Sequence, residues 1–154
     1  MRKIILIILV FFLSPFAAAE SFAQCACSIT YRNISAHNEF KLADVVFIGK
    51  VIEISNSTRD KNTNSYVQIV KFKVEKAWKR DLETFVIIRN EIQGCIIDYK
   101  ENEEWLVYAY KNQDGSIYTY CCCSRTKPLL KAAEDLEEFE AKGKQPANIR
   151  SPRK

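Results

Sequence analysis

The chain has 154 residues, 47% of them apolar and 27% charged, with only four Gly and four Pro. Those figures fit one compact domain with its own core and exclude disordered, collagen-like or linker-like material. The formal net charge is a mild +4, while six cysteines in so short a chain call for an oxidising compartment.

The N-terminus supplies that compartment. Arg2 and Lys3 precede an unbroken apolar run over 4–13, which Ser14 and Pro15 interrupt before the small residues of 16–23. That order is the layout of a secretory signal peptide over 1–23, and the run is well short of the ~20 apolar residues of a membrane span. Small residues at the required positions fit cleavage after Ala19 or after Ala23. The expected product is secreted, extracellular or periplasmic, a monomer without a membrane span.

In chain order, Ser35 caps a short helix over 36–42, with Ala36 and Phe40 on one side. A first strand over 45–54 is β-branched and aromatic, and its single Gly49 suggests a bulge. The polar stretch 55–65 is a loop. A second strand over 66–78 alternates, so that Val70, Phe72, Val74 and Trp78 form its core face. A third strand covers 84–89, residues 91–104 are irregular around Gly94-Cys95, and a fourth strand covers 105–110. Asn112-Gln113-Asp114-Gly115 is a hairpin turn signal before a fifth strand over 116–121. Thr126 is expected to cap a final helix with Pro128 in its first turn, and Glu134, Asp135, Glu137 and Glu138 to form its solvated flank.

Five short strands bury their inner faces by curling into a small barrel. The expected fold is all-β with flanking helices: a five-stranded OB-fold barrel with one short N-terminal and one C-terminal helix, spanning 24–140. Residues 141–154 carry Lys142, Lys144, Arg150, Arg153 and Lys154 without an acid, and are expected to be a disordered basic tail.

Enzyme constellations are missing from the sequence. His37 is the single histidine, so a H-E-x-x-H zinc site is impossible, and no G-x-S-x-G, P-loop or G-x-G-x-x-G occurs. The adjacent Glu103 and Glu104 would face opposite sides of a strand. No basic stripe with interleaved aromatics marks a nucleic-acid site. The sequence therefore reads as a non-enzyme without a cofactor or nucleic-acid partner. Cys25, Cys27, Cys95, Cys121, Cys122 and Cys123 form an even set that reads as disulfides, with 15 pairings open. The rival reading is a soft-metal or thiol-exchange site built from C-x-C and C-C-C.

Several segments resemble the netrin-like family that contains the tissue inhibitors of metalloproteinases, especially its short microbial secreted members. They are Cys25-Ala26-Cys27-Ser28, the first-strand block Ala43-Asp44-Val45-Val46-Phe47-Ile48-Gly49-Lys50-Val51, Val74-Glu75-Lys76-Ala77-Trp78-Lys79, Gly94-Cys95, Glu104-Trp105-Leu106-Val107-Tyr108-Ala109 and Cys123-Ser124-Arg125-Thr126-Lys127-Pro128-Leu129. The resemblance covers about 25–140 and implies an OB-type barrel. It also implies pairing of Cys25 with Cys95 and of Cys27 with Cys123, and it assigns nothing to Cys121 and Cys122. In the animal inhibitors the first Cys enters the protease cleft, where its α-amine and carbonyl chelate the catalytic zinc. An α-amine with a pKa of about 8 is partly neutral, and so a zinc ligand, at neutral pH. Carried over, Cys25 is the ligand to a partner protease's zinc and Ala26 faces its substrate pocket. Cys27, Gln93 and Gly94 complete the binding ridge. The implied function is inhibition of a secreted or surface metalloendopeptidase. The alternative is a non-inhibitory netrin-type interaction module.

Overall fold

A computed structural model describes residues 34–56, 66–92, 97–120 and 124–151. Helix α1 (Ala36–Leu42) starts at Ser35, whose hydroxyl accepts a hydrogen bond from the Asn38 amide at 3.3 Å. Its C-terminal carbonyls, Lys41 O and Ala43 O, both accept from the Lys79 ammonium, which also lies over the Phe40 ring. A cation is favourable there because the last helical carbonyls lack intrahelical donors.

Strands β1 (Val45–Asn56) and β2 (Tyr66–Ala77) pair antiparallel, and β2 pairs antiparallel with β4 (Phe85–Ile92). Between them lies the two-residue β3 (Leu82–Glu83). Strand β5 (Glu104–Lys111) returns to pair antiparallel with β1, and β6 (Ile117–Tyr118) pairs antiparallel with β5 and parallel with β4. The order β1-β2-β4-β6-β5, closed by β1 on β5, is a five-stranded OB-type barrel flanked by two helices. Asn112–Ser116 make the expected hairpin: the Asn112 amide donates to Ser116 O, and Gly115 adopts φ 88°, a left-handed conformation in which glycine meets no Cβ clash.

The core has two layers. Val45, Phe47, Val51, Val70, Phe72, Val74, Val86, Ile88, Tyr99, Trp105 and Val107 fill the barrel, which confirms the inward parity expected of Val70, Phe72 and Val74 but not of Trp78: β2 ends at Ala77, which takes the inward place, and Trp78 lies in the outer layer. Phe72 packs edge-on against Phe47 and Tyr99. Outside the barrel, Val46, Leu106 and Tyr108 meet Phe40 of α1 and Phe139 of α2 (Ala133–Ala141), with Trp78 packed edge-on against Phe139. Strand β5 is therefore buried on both faces. The bulge expected at Gly49 is present as a register shift between Ile48 and Gly49. A Cβ at Gly49 would stand 2.8 Å from Phe47 Cε2 and 3.1 Å from the Lys73 carbonyl oxygen.

Three expectations are corrected. Thr126 does not cap the last helix. Residues Lys127–Pro128 form strand β7 on β5, a 3-10 turn follows over Leu129–Lys131, and α2 begins only at Ala133. The reason is that Tyr108 offers a buried backbone amide and carbonyl, and the Thr126 hydroxyl takes both, accepting at 3.0 Å and donating at 3.1 Å. Asp135 is not part of a solvated flank: it is fully buried. The expected disorder of the basic tail does not hold for 147–150, where β8 (Ile149–Arg150) lies parallel to β3. The Ala147 amide donates to Ala77 O at 2.7 Å, Leu82 donates to Asn148 O at 3.0 Å, and the Arg150 guanidinium pairs with Asp81. Few apolar side chains are involved, and it is backbone pairing with the chain around β3 that holds the segment. Among the described residues no helix is long and apolar enough to cross a membrane.

Candidate functional site

The residues expected to meet a protease, Cys25, Ala26, Cys27, Gln93 and Gly94, lie outside the described residues, as do Cys95, Cys121, Cys122 and Cys123. What the structure gives is the scaffold from which those segments depart. Strands β4 and β6 run parallel as neighbours, with Ile88 opposite Ile117 and Arg89 opposite Tyr118. Their C-terminal ends therefore leave the same end of the barrel, one toward Gly94-Cys95 and the other toward Cys121. The barrel interior turns polar toward that end. Asn90 is fully buried and its side-chain amide donates to Gln68 Oε1 at 3.2 Å; the Tyr99 and Thr119 hydroxyls stand 3.4 Å apart. The latter contact links the chain just after Cys95 to the chain just before Cys121.

A second tie joins the chain after Cys123 to the chain after Cys27. The Arg125 guanidinium donates through Nη1 to the Ile34 carbonyl at 3.0 Å. Its other nitrogens grip Asp135 of α2: Nε donates to Oδ1 at 2.7 Å and Nη2 to Oδ2 at 2.9 Å. Lys127 Nζ donates to Oδ2 at 2.7 Å and the Tyr108 hydroxyl to Oδ1 at 2.7 Å. Glu134 Oε2, at 3.1 Å from Arg125 Nη2, offsets the second cation. Burial works against the Asp135 charge, but the hydrogen bonds from Arg125, Lys127 and Tyr108 outweigh it and hold the carboxyl below its ordinary range. Burial, reinforced by the Asp135 carboxylate, pushes the Tyr108 phenol far up. Both Asp135 oxygens are fully engaged and shut off from water, so this cluster is a clamp and not a reactive centre.

Sequence reasoning missed this clamp. A signal was present in the spacing: Asp135 falls with Ala132 and Phe139 at i, i+3 and i+7, on the buried face of the helix. It also explains part of the C-S-R-T-x-P-L segment, in which Arg125 joins three elements and Thr126 completes the β5 edge.

Two shallow grooves mark the described surface. One, of about 360 Å³, is lined by His37, Glu134, Glu137 and Glu138 between α1 and α2, with His37 Nδ1 3.7 Å from Glu138. The other, of about 290 Å³, lies between Asn102–Glu104 and Pro128–Leu130. Among the described residues no group of three or more His, Cys, Asp or Glu is placed to hold a metal. No protein-family model and no curated protein matches the chain.

Proposed function

We propose that the protein is a secreted, disulfide-bonded inhibitor of a metalloendopeptidase, similar to the tissue inhibitors of metalloproteinases. In this reading the α-amine and carbonyl of Cys25 chelate the protease's zinc and displace the attacking water. Ala26 enters the substrate pocket, and Gln93 and Gly94 form the adjoining ridge. The observation that supports it is the OB-type barrel, on which described residues that flank the cysteine-bearing segments in the sequence are held together. The flanks of Cys95 and Cys121 leave one barrel end on parallel strands, and Arg125 ties the flank of Cys123 to Ile34. The Cys25–Cys95 and Cys27–Cys123 bridges that the resemblance implies would present residue 25 from a rigid base.

N-terminal sequencing of the secreted protein, followed by assay against a zinc endopeptidase, tests the reading. The expected result is a chain that starts at Cys25 and inhibits, and that loses inhibition when its α-amine is acetylated. A mature chain that keeps Gln24 has an amide in place of the amine; such a chain, or one that starts at Cys25 and does not inhibit, returns the protein to a non-inhibitory interaction module.

A further inference from the structure

We infer that the edge formed by Ala77, Asp81, Leu82 and Thr84 is a strand-addition site for an extended peptide of the pattern Ala-x-x-Arg, and that the chain's own residues 147–150 are its exchangeable occupant. The proposal is independent of the protease reading. Edge and occupant both lie among the described residues, so the chemistry that fits the edge is read from the segment seated on it.

Backbone groups make most of the contact. The Ala147 amide donates to Ala77 O at 2.7 Å in an antiparallel bridge. The Leu82 amide donates to Asn148 O at 3.0 Å and the Thr84 amide to Arg150 O at 2.8 Å, in the parallel register of β3 and β8. The Thr84 hydroxyl donates to the same Arg150 carbonyl at 3.0 Å. In strand addition such main-chain bonds give the affinity and a few side chains give the choice. Two side chains choose here. Ala147 is half-buried against the barrel core, so the first position faces packed side chains and takes a small one. Asp81 reads the fourth position. Its Oδ2 accepts from the Arg150 guanidinium, and its Oδ1 accepts from the Asn148 amide at 3.3 Å. Those two donors, the guanidinium first, hold the Asp81 carboxyl below its ordinary range. The Asn148 and Ile149 side chains are exposed and go unread.

The same contacts make the occupant exchangeable. Strand β8 is two residues long, and both of its side chains are exposed. The Arg150–Asp81 pair stands in solvent, where an ion pair contributes little. Segments with few buried apolar contacts open locally, well below the free energy of global unfolding. The linker 142–146 joins the strap to α2 through Gly143 at φ 59° and Pro146, which has no amide to donate. Opening leaves the Leu82 and Thr84 amides, the Ala77 carbonyl and the Asp81 carboxylate aligned for another strand.

Fluorescence anisotropy with the labelled peptide Pro-Ala-Asn-Ile-Arg-Ser, added to the full chain, tests the proposal. The wild type is expected to bind it weakly, because the resident segment competes. Ala147→Pro with Arg150→Gln loosens the resident without touching the edge, and should tighten binding about ten-fold. Adding Asp81→Ala to that variant should remove most of the gain, and replacing the peptide's arginine by glutamate should do the same. Hydrogen exchange of the wild type gives a second reading that needs no variant to fold. The Leu82, Thr84 and Ala147 amides should share one protection, at least about ten-fold below that of the β1–β2 ladder. Protection equal to the ladder's, no binding by the loosened variant, or equal binding of the glutamate peptide would overturn the proposal. Exclusion of the peptide together with concentration-dependent dimerisation of the wild type would overturn it in favour of pairing between copies of the chain.

Discussion

The Tyr108 hydroxyl donates to Asp135 Oδ1 across 2.7 Å, and neither side chain has any exposed surface. That bond joins the middle of a barrel strand to the last helix. It sits inside a set of four donors that leaves the carboxylate no free valence. Removing the charge while keeping the shape should therefore be costly. Asp135→Asn leaves Arg125 and Lys127 without their shared counter-ion and is expected to destabilise the fold by about 3 kcal/mol or more, measured by denaturant unfolding. Tyr108→Phe removes one hydrogen bond to a charged group and should cost less, about 1.5–3 kcal/mol.

The same carboxylate sets an acid limit. Its folded pKa lies below its unfolded value, so the stability it contributes is present above the unfolded carboxyl value of about 4. That stability drains away as pH falls further, through the folded pKa. Melting temperatures taken from pH 7 downward should drop steeply below about pH 4 in the wild type. Asp135→Asn should melt lower at neutral pH and show a shallower acid decline.

Gly49→Ala should destabilise by about 1–3 kcal/mol. The added Cβ meets both the Phe47 ring and a backbone oxygen of the neighbouring strand, and the oxygen cannot yield without breaking the β1–β2 ladder. Thermal unfolding of the purified variant reads the effect.

Deleting residues 144–154 should lower the melting temperature. The deletion strips hydrogen-bond partners from Ala77, Leu82 and Thr84, and uncovers Leu82 at the barrel's edge. A tail that is merely solvated would leave the melting curve unmoved.

Cys95→Ser tests the proposed Cys25–Cys95 bridge. Loss of a long-range cross-link is expected to cost a few kcal/mol, about 2–5, and to abolish any protease inhibition in the same variant. Disulfide mapping that pairs Cys25 elsewhere, or an unchanged melting temperature, would show the carried-over arrangement to be wrong.

Much of the barrel is legible in the sequence because its signals are local. The alternation of Val70, Phe72 and Val74 fixes a strand face, Asn112–Gly115 fixes a hairpin, and Gly49 marks a bulge. The misreadings share one cause, which is that distant backbone or side-chain groups decided the outcome. Thr126 and Pro128 have the composition of a helix start, but Tyr108 and Trp105 of β5 recruit them as a strand edge. Asp135 stands among acidic neighbours, and only the fold brings Arg125 and Lys127 onto it. Ile149 and Arg150 carry little local preference and are ordered by Leu82 and Glu83. The expected protease-facing residues owe their assignment to family resemblance, and the described residues supply only their anchors.

The parallel seam between β4 and β6 amounts to two residue pairs, Ile88 with Ile117 and Arg89 with Tyr118. The β1–β2–β4 meander can assemble from neighbouring hairpins, whereas the seam must wait until β5 has crossed back to β1, a longer loop closure. Barrel closure is then the late step of folding, and the seam is the first place to open. If the proposed disulfides form, thiols that oxidise before the seam does will pair on an unfinished barrel in which β4 and β6 are not yet neighbours. The yield of protein with the proposed bridges should then follow the competition between oxidant and β5–β6 docking, rising in mild redox buffers and falling when oxidation is fast.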